Sequence, residues 1–239
     1  SKEARKHGIK VLLGGTAADD IFSGYRRHKA LLIEPLIEKT PILFKKIIKF
    51  VASSMPVNIP LFRRLRKLTS NIDSTQSDRL IGYFDWINPK KIKEIFAKSH
   101  HEKLSKYDFH KYFKSVLNLT ENEDNLLNKM LHLEKKTFLV DHNLNYTDKM
   151  SMAVGVETRV PYLDLDLVEF VKKINPTLKM KGNQTKYILK KVAEKYLPDE
   201  IIYRPKSGFG APVRKWIIND MSDLIDTKLS KQKINSHKI

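Results

Sequence analysis

The sequence predicts an α/β nucleotide-binding domain, predominantly α-helical with a few parallel strands. Two observations carry that prediction. The short apolar run Val11 to Leu13 stops at Gly14-Gly15 and gives way to the adjacent acids Asp19 and Asp20, and elsewhere apolar residues recur at helical spacing. A continuous apolar run is what a strand covered on both faces of a parallel sheet shows, and in open α/β sheets ligands sit beyond the carboxyl ends of the strands. Two glycines let backbone N–H groups approach a phosphate closely, and two carboxylates a few residues on suit a hydrated Mg²⁺ shared with the phosphates. The same residues also read as a tight turn before a helix whose first turn carries acids favoured by the macrodipole.

Taken in order, Lys2 to His7 reads as a helix feeding the strand. After Tyr25 a basic helical stretch, Arg26 to Lys29, continues through Leu31, Leu32 and Ile33 until Pro35 interrupts it. From Pro41, Leu43, Phe44, Ile47, Ile48 and Val51 keep helical spacing opposite Lys45, Lys46 and Lys49. That pattern is a basic amphipathic helix covering a core, with attachment to a membrane surface as the sharper alternative. Turns at Met55-Pro56 and Ile59-Pro60 lead to Leu61 to Leu68, whose RRLRK cluster is the densest charge in the chain, and Ser70 to Ser77 is a polar loop. A helix runs from Pro89 to Lys98. A long one is predicted from about Asn122 to Asn145, with Leu127, Leu131 and Phe138 on one stripe. Asp166 and Glu169 fit a capping box, and Thr185 fits the cap of a helix carrying Ile188, Leu189 and Val192 that stops before Pro198. One more helix follows Asn219.

The chain has 239 residues, 41% hydrophobic, which suffices for one large or two small domains with a real core. It contains no cysteine, which removes disulfides, thiolate metal sites and cysteine nucleophiles together. No apolar run approaches the roughly 18 residues of a membrane span, and the first residues, SKEARKHG, lack the apolar core of a signal peptide, so a cytoplasmic setting is expected. The net charge of +18 favours anionic partners. Nucleotide, nucleic acid and acidic membrane surfaces all qualify on charge alone, yet the lysines are spread along the chain and no nucleic-acid motif stands out.

Two further segments mix charge with unusual neighbours. In Asp141 to Asp164, Asp148, Lys149, Glu157, Arg159 and Asp164 lie among Met150, Met152, Val154, Val156 and Val160. Charges in apolar surroundings must pair or meet a ligand. Glu157 and Arg159 either orient a zwitterionic substrate or pair with other side chains. In Tyr203 to Val213 a glycine- and proline-rich loop carries Arg204 and Lys206, and a fixed cation there suits charge developing on phosphate. The plainer reading is a surface loop with solvated cations.

GGTAADDIFSGY, DKMSMAVGVETRVPYLD and TKYILK followed by RPKSGFGAP occur in the order seen in the asparagine synthetases. The chain resembles the synthetase domain of that family, shared by related amide-forming enzymes such as the β-lactam and carbapenam synthetases. The resemblance covers Gly8 to Trp216 and is strongest at Val11 to Tyr25 and from Asp141 onward; residues 30 to 120 carry no matching motif. It implies an adenine nucleotide alpha hydrolase-like fold. It also implies a two-stage reaction, in which ATP adenylates the side-chain carboxylate of aspartate with release of pyrophosphate, and ammonia then displaces AMP.

On the matching positions, the resemblance places Gly14, Gly15, Lys206 and Arg204 at ATP, Asp19 and Asp20 at Mg²⁺, and Thr16, Glu157 and Arg159 at the substrate, with Lys206 and Asp19 as the catalytic pair. Thr16 stands where the family carries glutamate and cannot act as a carboxylate base, which leaves room for another acceptor such as a sugar acid. Ser23 replaces a glycine, Asp20 a glutamate and Lys149 an arginine. The family's nucleotide loop, S-G-G-x-D-S, and the N-terminal cysteine of its glutaminase domain do not occur here. Residues 1–239 are therefore expected to be the C-terminal portion of a synthetase domain that is truncated at its N-terminus. A glutaminase domain or subunit would supply its ammonia, and alone it should neither hydrolyse glutamine nor form an adenylate. Two other readings are a basic nucleic-acid-binding helical domain and a degenerate scaffold that kept the fold and lost catalysis.

Overall fold

A computed structural model describes residues 1–56, 58–205 and 212–236. The chain divides into two compact units, Ser1–Asp85 with His110–Leu197, and Trp86–Phe109 with Pro198–Ile239.

In the first unit, helix α1 (Lys2–Lys6) leads into strand β1 (Val11–Leu13), and α2 (Ala18–Ile21) and α3 (Arg26–Ala30) follow. Then come α4 (Glu34–Lys39), α5 (Ile42–Ser54), α6 (Pro60–Thr69) and α7 (Gln76–Gly82). Pro35 opens α4 instead of interrupting a helix, as its fixed φ and missing N–H allow in a first turn. Thr75 caps α7 by accepting from the Asp78 N–H at 3.1 Å. The second unit contributes α8 (Pro89–Ile95) and α9 (His101–Ser105). The first unit resumes with α10 (Lys111–Asn118), α11 (Leu126–Lys136), α12 (Asn145–Met152), β2 (Glu157–Arg159), α13 (Leu165–Lys173) and α14 (Pro176–Lys179). It closes with a two-residue hairpin pair, β3 (Met180–Lys181) and β4 (Gln184–Thr185), and α15 (Tyr187–Ala193). In the second unit the helices α16 (Asp199–Ile202), α17 (Val213–Lys215), α18 (Ser222–Lys228) and α19 (Lys231–Ser236) complete the order, two of them after Asn219 where one was expected.

The parallel pairing is β1 with β2, in the register Val11 to Glu157, Leu12 to Thr158 and Leu13 to Arg159. The strand expected to be covered on both faces is not, since Leu13 is 75% exposed and Val11 is also exposed. Among the described residues β1 has β2 alone as a strand neighbour, so no wider sheet shields it. The main core lies among α7, α10 and α11, where Leu80, Ile81, Phe84, Leu117, Met130 and Leu133 are buried together. A smaller cluster joins Ile21 and Phe22 to Val171, with Leu167, Ile188 and Leu189 against it.

Several predicted boundaries shift for local reasons. The long helix is interrupted at Thr137 (φ −125°, ψ −83°), whose hydroxyl donates to the Leu133 carbonyl at 2.7 Å. A π-turn over Leu139–Leu144 follows before α12. Asp164, not Asp166, caps α13 by accepting from the Leu167 N–H at 3.1 Å. Thr185 lies in β4, and Lys186, in the left-handed region, leads into α15 instead. On α5 the apolar face predicted to cover a core is exposed at Leu43, Phe44, Ile47 and Val51, while Lys49 pairs with Asp73 at 2.6 Å and Ala52 is buried. Among the described residues no helix is long and apolar enough to cross a membrane.

Candidate active site

The carboxyl ends of β1 and β2 converge. The Gly14 N–H donates to the Arg159 carbonyl at 2.8 Å, extending the parallel ladder by one bond into the turn. A Cβ at Gly14 would stand 3.1 Å from Thr158 Cγ2, so the glycine allows the two strand ends to close up there. Gly15 is exposed and has open space beside it, and Thr16 follows half-buried. The chain then enters α2 through Ala17 at φ 72° and leaves it through Ser23 at φ 67°.

Asp19 and Asp20 take opposite directions from α2. Asp19 is partly exposed and its Oδ1 accepts from Lys186 Nζ at 2.8 Å. The Lys186 N–H in turn donates to the Ser23 carbonyl at 3.3 Å, which ties the start of α15 to the end of the motif. A side chain at Gly24 would overlap the Asp19 carboxylate, so this glycine leaves the space the carboxylate fills. Asp20 is 1% exposed, accepts from the Tyr25 hydroxyl at 3.2 Å, and lies 3.4 Å from Asn143 Nδ2. Asn143 also donates to the Tyr25 oxygen at 2.8 Å. Burial first, and the charge of Glu134 second, push the Asp20 carboxyl up to about 7; the Tyr25 phenol is raised as well, again mainly by burial.

Behind Asp20 lies a second charged layer. Glu134, fully buried, takes both a second Arg27 nitrogen and Arg27 Nε, the latter at 2.9 Å. The guanidinium carbon sits 4.6, 4.5 and 4.4 Å from the ring centres of Tyr25, Phe84 and Phe138. A planar, delocalised cation fits such an aromatic box while keeping a forked bond to carboxylate.

The expected carboxylate pair is thus divided: Asp19 is reachable, and Asp20 belongs to the interior. Among the described residues no three His, Asp or Glu side chains converge as a protein cage for a metal would require. Glu157 and Arg159 pair with each other at 2.9 Å on exposed β2, and Met150 and Met152 near them are 66% and 52% exposed, so this segment is not the apolar setting its composition suggested. Arg204 is an exposed residue of the second unit, and Lys206 lies outside the described residues. Lys186 is the partner that sequence reasoning missed. Its signal is the TKYILK segment, in which Thr185 reads as a cap and Ile188 and Leu189 as a helix face, with no part given to Lys186.

These observations define a mostly helical α/β domain whose parallel strand ends carry a glycine-rich turn and a lysine-paired carboxylate. The chain belongs to the asparagine synthase family, whose model matches residues 1–239. It is 32% identical to asparagine synthetase [glutamine-hydrolyzing] 1 of Bacillus subtilis over 99% of this chain and 36% of that protein. It is 26% identical to a putative asparagine synthetase of Mycobacterium bovis over 91% of this chain and 32% of that protein. The amidase chyE of Penicillium rubens matches at 24% identity over 96% of this chain and 36% of its own length. The chain therefore spans about a third of the length of these curated relatives. No solved structure gives a significant match.

Proposed function

We propose that this chain forms the C-terminal part of the synthetase domain of an ATP-dependent, AMP-forming amide ligase. In that reaction a carboxylate attacks the α-phosphorus of ATP, pyrophosphate leaves, and ammonia from a glutaminase domain or subunit then displaces AMP. Aspartate is the first candidate acceptor. The observation that carries the reading is the meeting of the Gly14–Thr16 turn with the β2 end, followed within the first turn of α2 by Asp19 held by Lys186. That places amide donors, a carboxylate and a cation beyond the carboxyl ends of parallel strands, where α/β domains bind nucleotides.

Mg²⁺ commonly uses one or two protein carboxylates beside water and phosphate oxygens. Asp19 fits as one such carboxylate, and Asp20 does not, because both its oxygens are engaged inside. Bound there, the ion would screen phosphate charge. The exposed Gly15 amide suits a phosphate oxygen, and Lys186 keeps Asp19 fixed. Lys206 and Arg204 are assigned to the α-phosphate and the departing pyrophosphate, where a charge-assisted hydrogen bond contributes roughly 1.5–3 kcal/mol.

Thr16 favours a second reading within the same chemistry, an acceptor other than aspartate such as a sugar acid. The nucleic-acid alternative is not favoured, since the family match extends over the whole chain. The test is the full-length protein with ATP, ammonia and a panel of carboxylates, read as AMP and amide formed together. AMP without amide for every acceptor would exclude the ligase. Lys206→Ala should lower turnover far more than ATP affinity, and equal losses in both would remove its transition-state role.

A further inference from the structure

A cavity lies away from the β1–β2 ends, among α2, α11, α13, α14 and the segment before α11. Its volume is about 370 Å³, and neither Gly14–Thr16 nor Asp19 nor Lys186 lines it. Five apolar residues stand in its wall: Ile21, Leu119, Leu131, Val168 and Val171. The rest combines Lys135, Lys172, Lys179 and His132 with neutral polar side chains and one acid, Glu123.

Lys179 is 3% exposed, and burying an ammonium that deeply is costly unless an anion answers it. Among the described residues its Nζ donates one hydrogen bond, 3.4 Å to Asn128 Oδ1, and no carboxylate is within ion-pair distance. Glu123, the acid of the cavity wall, spends its oxygens on the Asn125 N–H at 2.8 Å and Asn128 Nδ2 at 2.9 Å. Lys135 has no hydrogen bond or ion pair among the described residues, Lys172 is paired with Glu169, and His132 Nε2 is buried with no partner. Burial lowers Lys179 to about 8, with Lys135 adding to the effect and Glu123 opposing it; burial also lowers Lys135 and His132, each with help from neighbouring lysines, and Glu169 only partly offsets the shift at Lys135. Cations that destabilise one another inside a cavity are the arrangement a bound anion would relieve.

We infer that this cavity binds a small phosphate-bearing anion, with Lys179 and Lys135 supplying the counter-charge, His132 Nε2–H a hydrogen bond, and Ile21, Leu131 and Val171 a surface for an apolar body. A dianion suits the site better than a carboxylate because two buried or half-buried ammonium groups face it with no carboxylate in ion-pair contact among the described residues. The inference is independent of the ligase assignment.

The test measures binding of inorganic phosphate and of phenyl phosphate to the full-length protein by titration calorimetry at fixed ionic strength. Lys179→Met and Lys135→Met are compared with the exposed control Lys173→Met, all in a Lys206→Ala background that weakens the proposed ATP site. Saturable binding should fall at least about tenfold in both cavity variants, equivalent to ~1.4 kcal/mol, and stay unchanged in the control. Tighter binding of phenyl phosphate would identify an organic phosphate as the ligand, and equal binding would identify inorganic phosphate. Thermal melts verify that Lys179→Met is folded, and Lys135→Met keeps the test valid if it is not. No saturable binding of either probe, or equal affinity in all variants, overturns the inference.

Discussion

Asp19 and Asp20 are neighbours in the chain and opposites in the molecule. Asp19 meets an ammonium at a partly exposed edge, whereas Asp20 is sealed against a phenol, an amide and the Arg27–Glu134 layer. Successive residues on a helix point about 100° apart and do not face each other. An acidic pair on one turn is therefore divided between two tasks, with the outward acid available to a ligand and the inward acid fixing the turn that presents it. The difference predicts that changes on the inner side register as stability and those on the outer side as activity.

The strongest way to break that division is at its inner layer. Arg27→Met leaves Glu134 buried without its cation, and removing one partner of a buried pair typically costs about 3–5 kcal/mol. Chemical denaturation should show a loss of that order. Replacing both residues with apolar ones, Arg27→Met with Glu134→Leu, should recover much of it, because no uncompensated charge remains. A loss below about 1 kcal/mol for the single variant would mean that water or another group reaches Glu134, and that the layer is not sealed.

On the outer side, Asp19→Asn keeps the shape and removes the charge. If Asp19 serves the phosphate and metal side of the site, turnover in the full-length protein should drop about a hundredfold or more, the scale seen when one preorganised charge partner is lost. The melting temperature should hardly move, since partly exposed ion pairs contribute only about 0–1 kcal/mol. A large melting shift with unchanged turnover would reverse the assignment of the two acids.

The pH dependence sharpens the inner assignment. The Asp20 carboxyl is raised from an ordinary value near 3.8 to about 7, so between those values the folded state holds a proton that the unfolded state has lost. Its contribution is fully present below pH 4 and fades as pH climbs toward 7, at up to ~1.4 kcal/mol per pH unit. Asp20→Asn should flatten that slope in unfolding free energy measured from pH 4 to 8. An unchanged slope would place the titration elsewhere.

The sequence carried the strand, its glycine stop and the following helix, because an apolar run ended by Gly14-Gly15 leaves few other readings. It did not carry the direction of each acid. The apparent pairing of Asp19 with Asp20 follows from adjacency in the chain, and adjacency on a helix separates side chains. Lys186 and Asn143 were illegible as partners because each arrives through a local irregularity, a left-handed residue before α15 and a π-turn after Thr137, that no hydrophobic period announces. Glu134 reads in sequence as one more polar position of a long helix. Only the aromatic box around Arg27 shows why a charge is held there.

The smallest effects test how tightly the turn is held. Ala17 and Ser23 bracket α2 at φ 72° and 67°, where a side chain costs about 1–2 kcal/mol and glycine nothing. Glycine also enlarges the freedom of the unfolded chain, which offsets about 0.5–1 kcal/mol of that gain. Ala17→Gly should therefore raise stability by at most about 1.5 kcal/mol on this balance. Ser23→Gly should gain more, because it also removes a buried hydroxyl that has no partner among the described residues, a group that costs roughly 1–3 kcal/mol when unsatisfied. Denaturant melts of the two variants and their double should rank double, Ser23→Gly, Ala17→Gly. If Ser23→Gly instead destabilises, its hydroxyl has found a partner, and the turn that separates Asp19 from Asp20 is secured by a bond beyond those described.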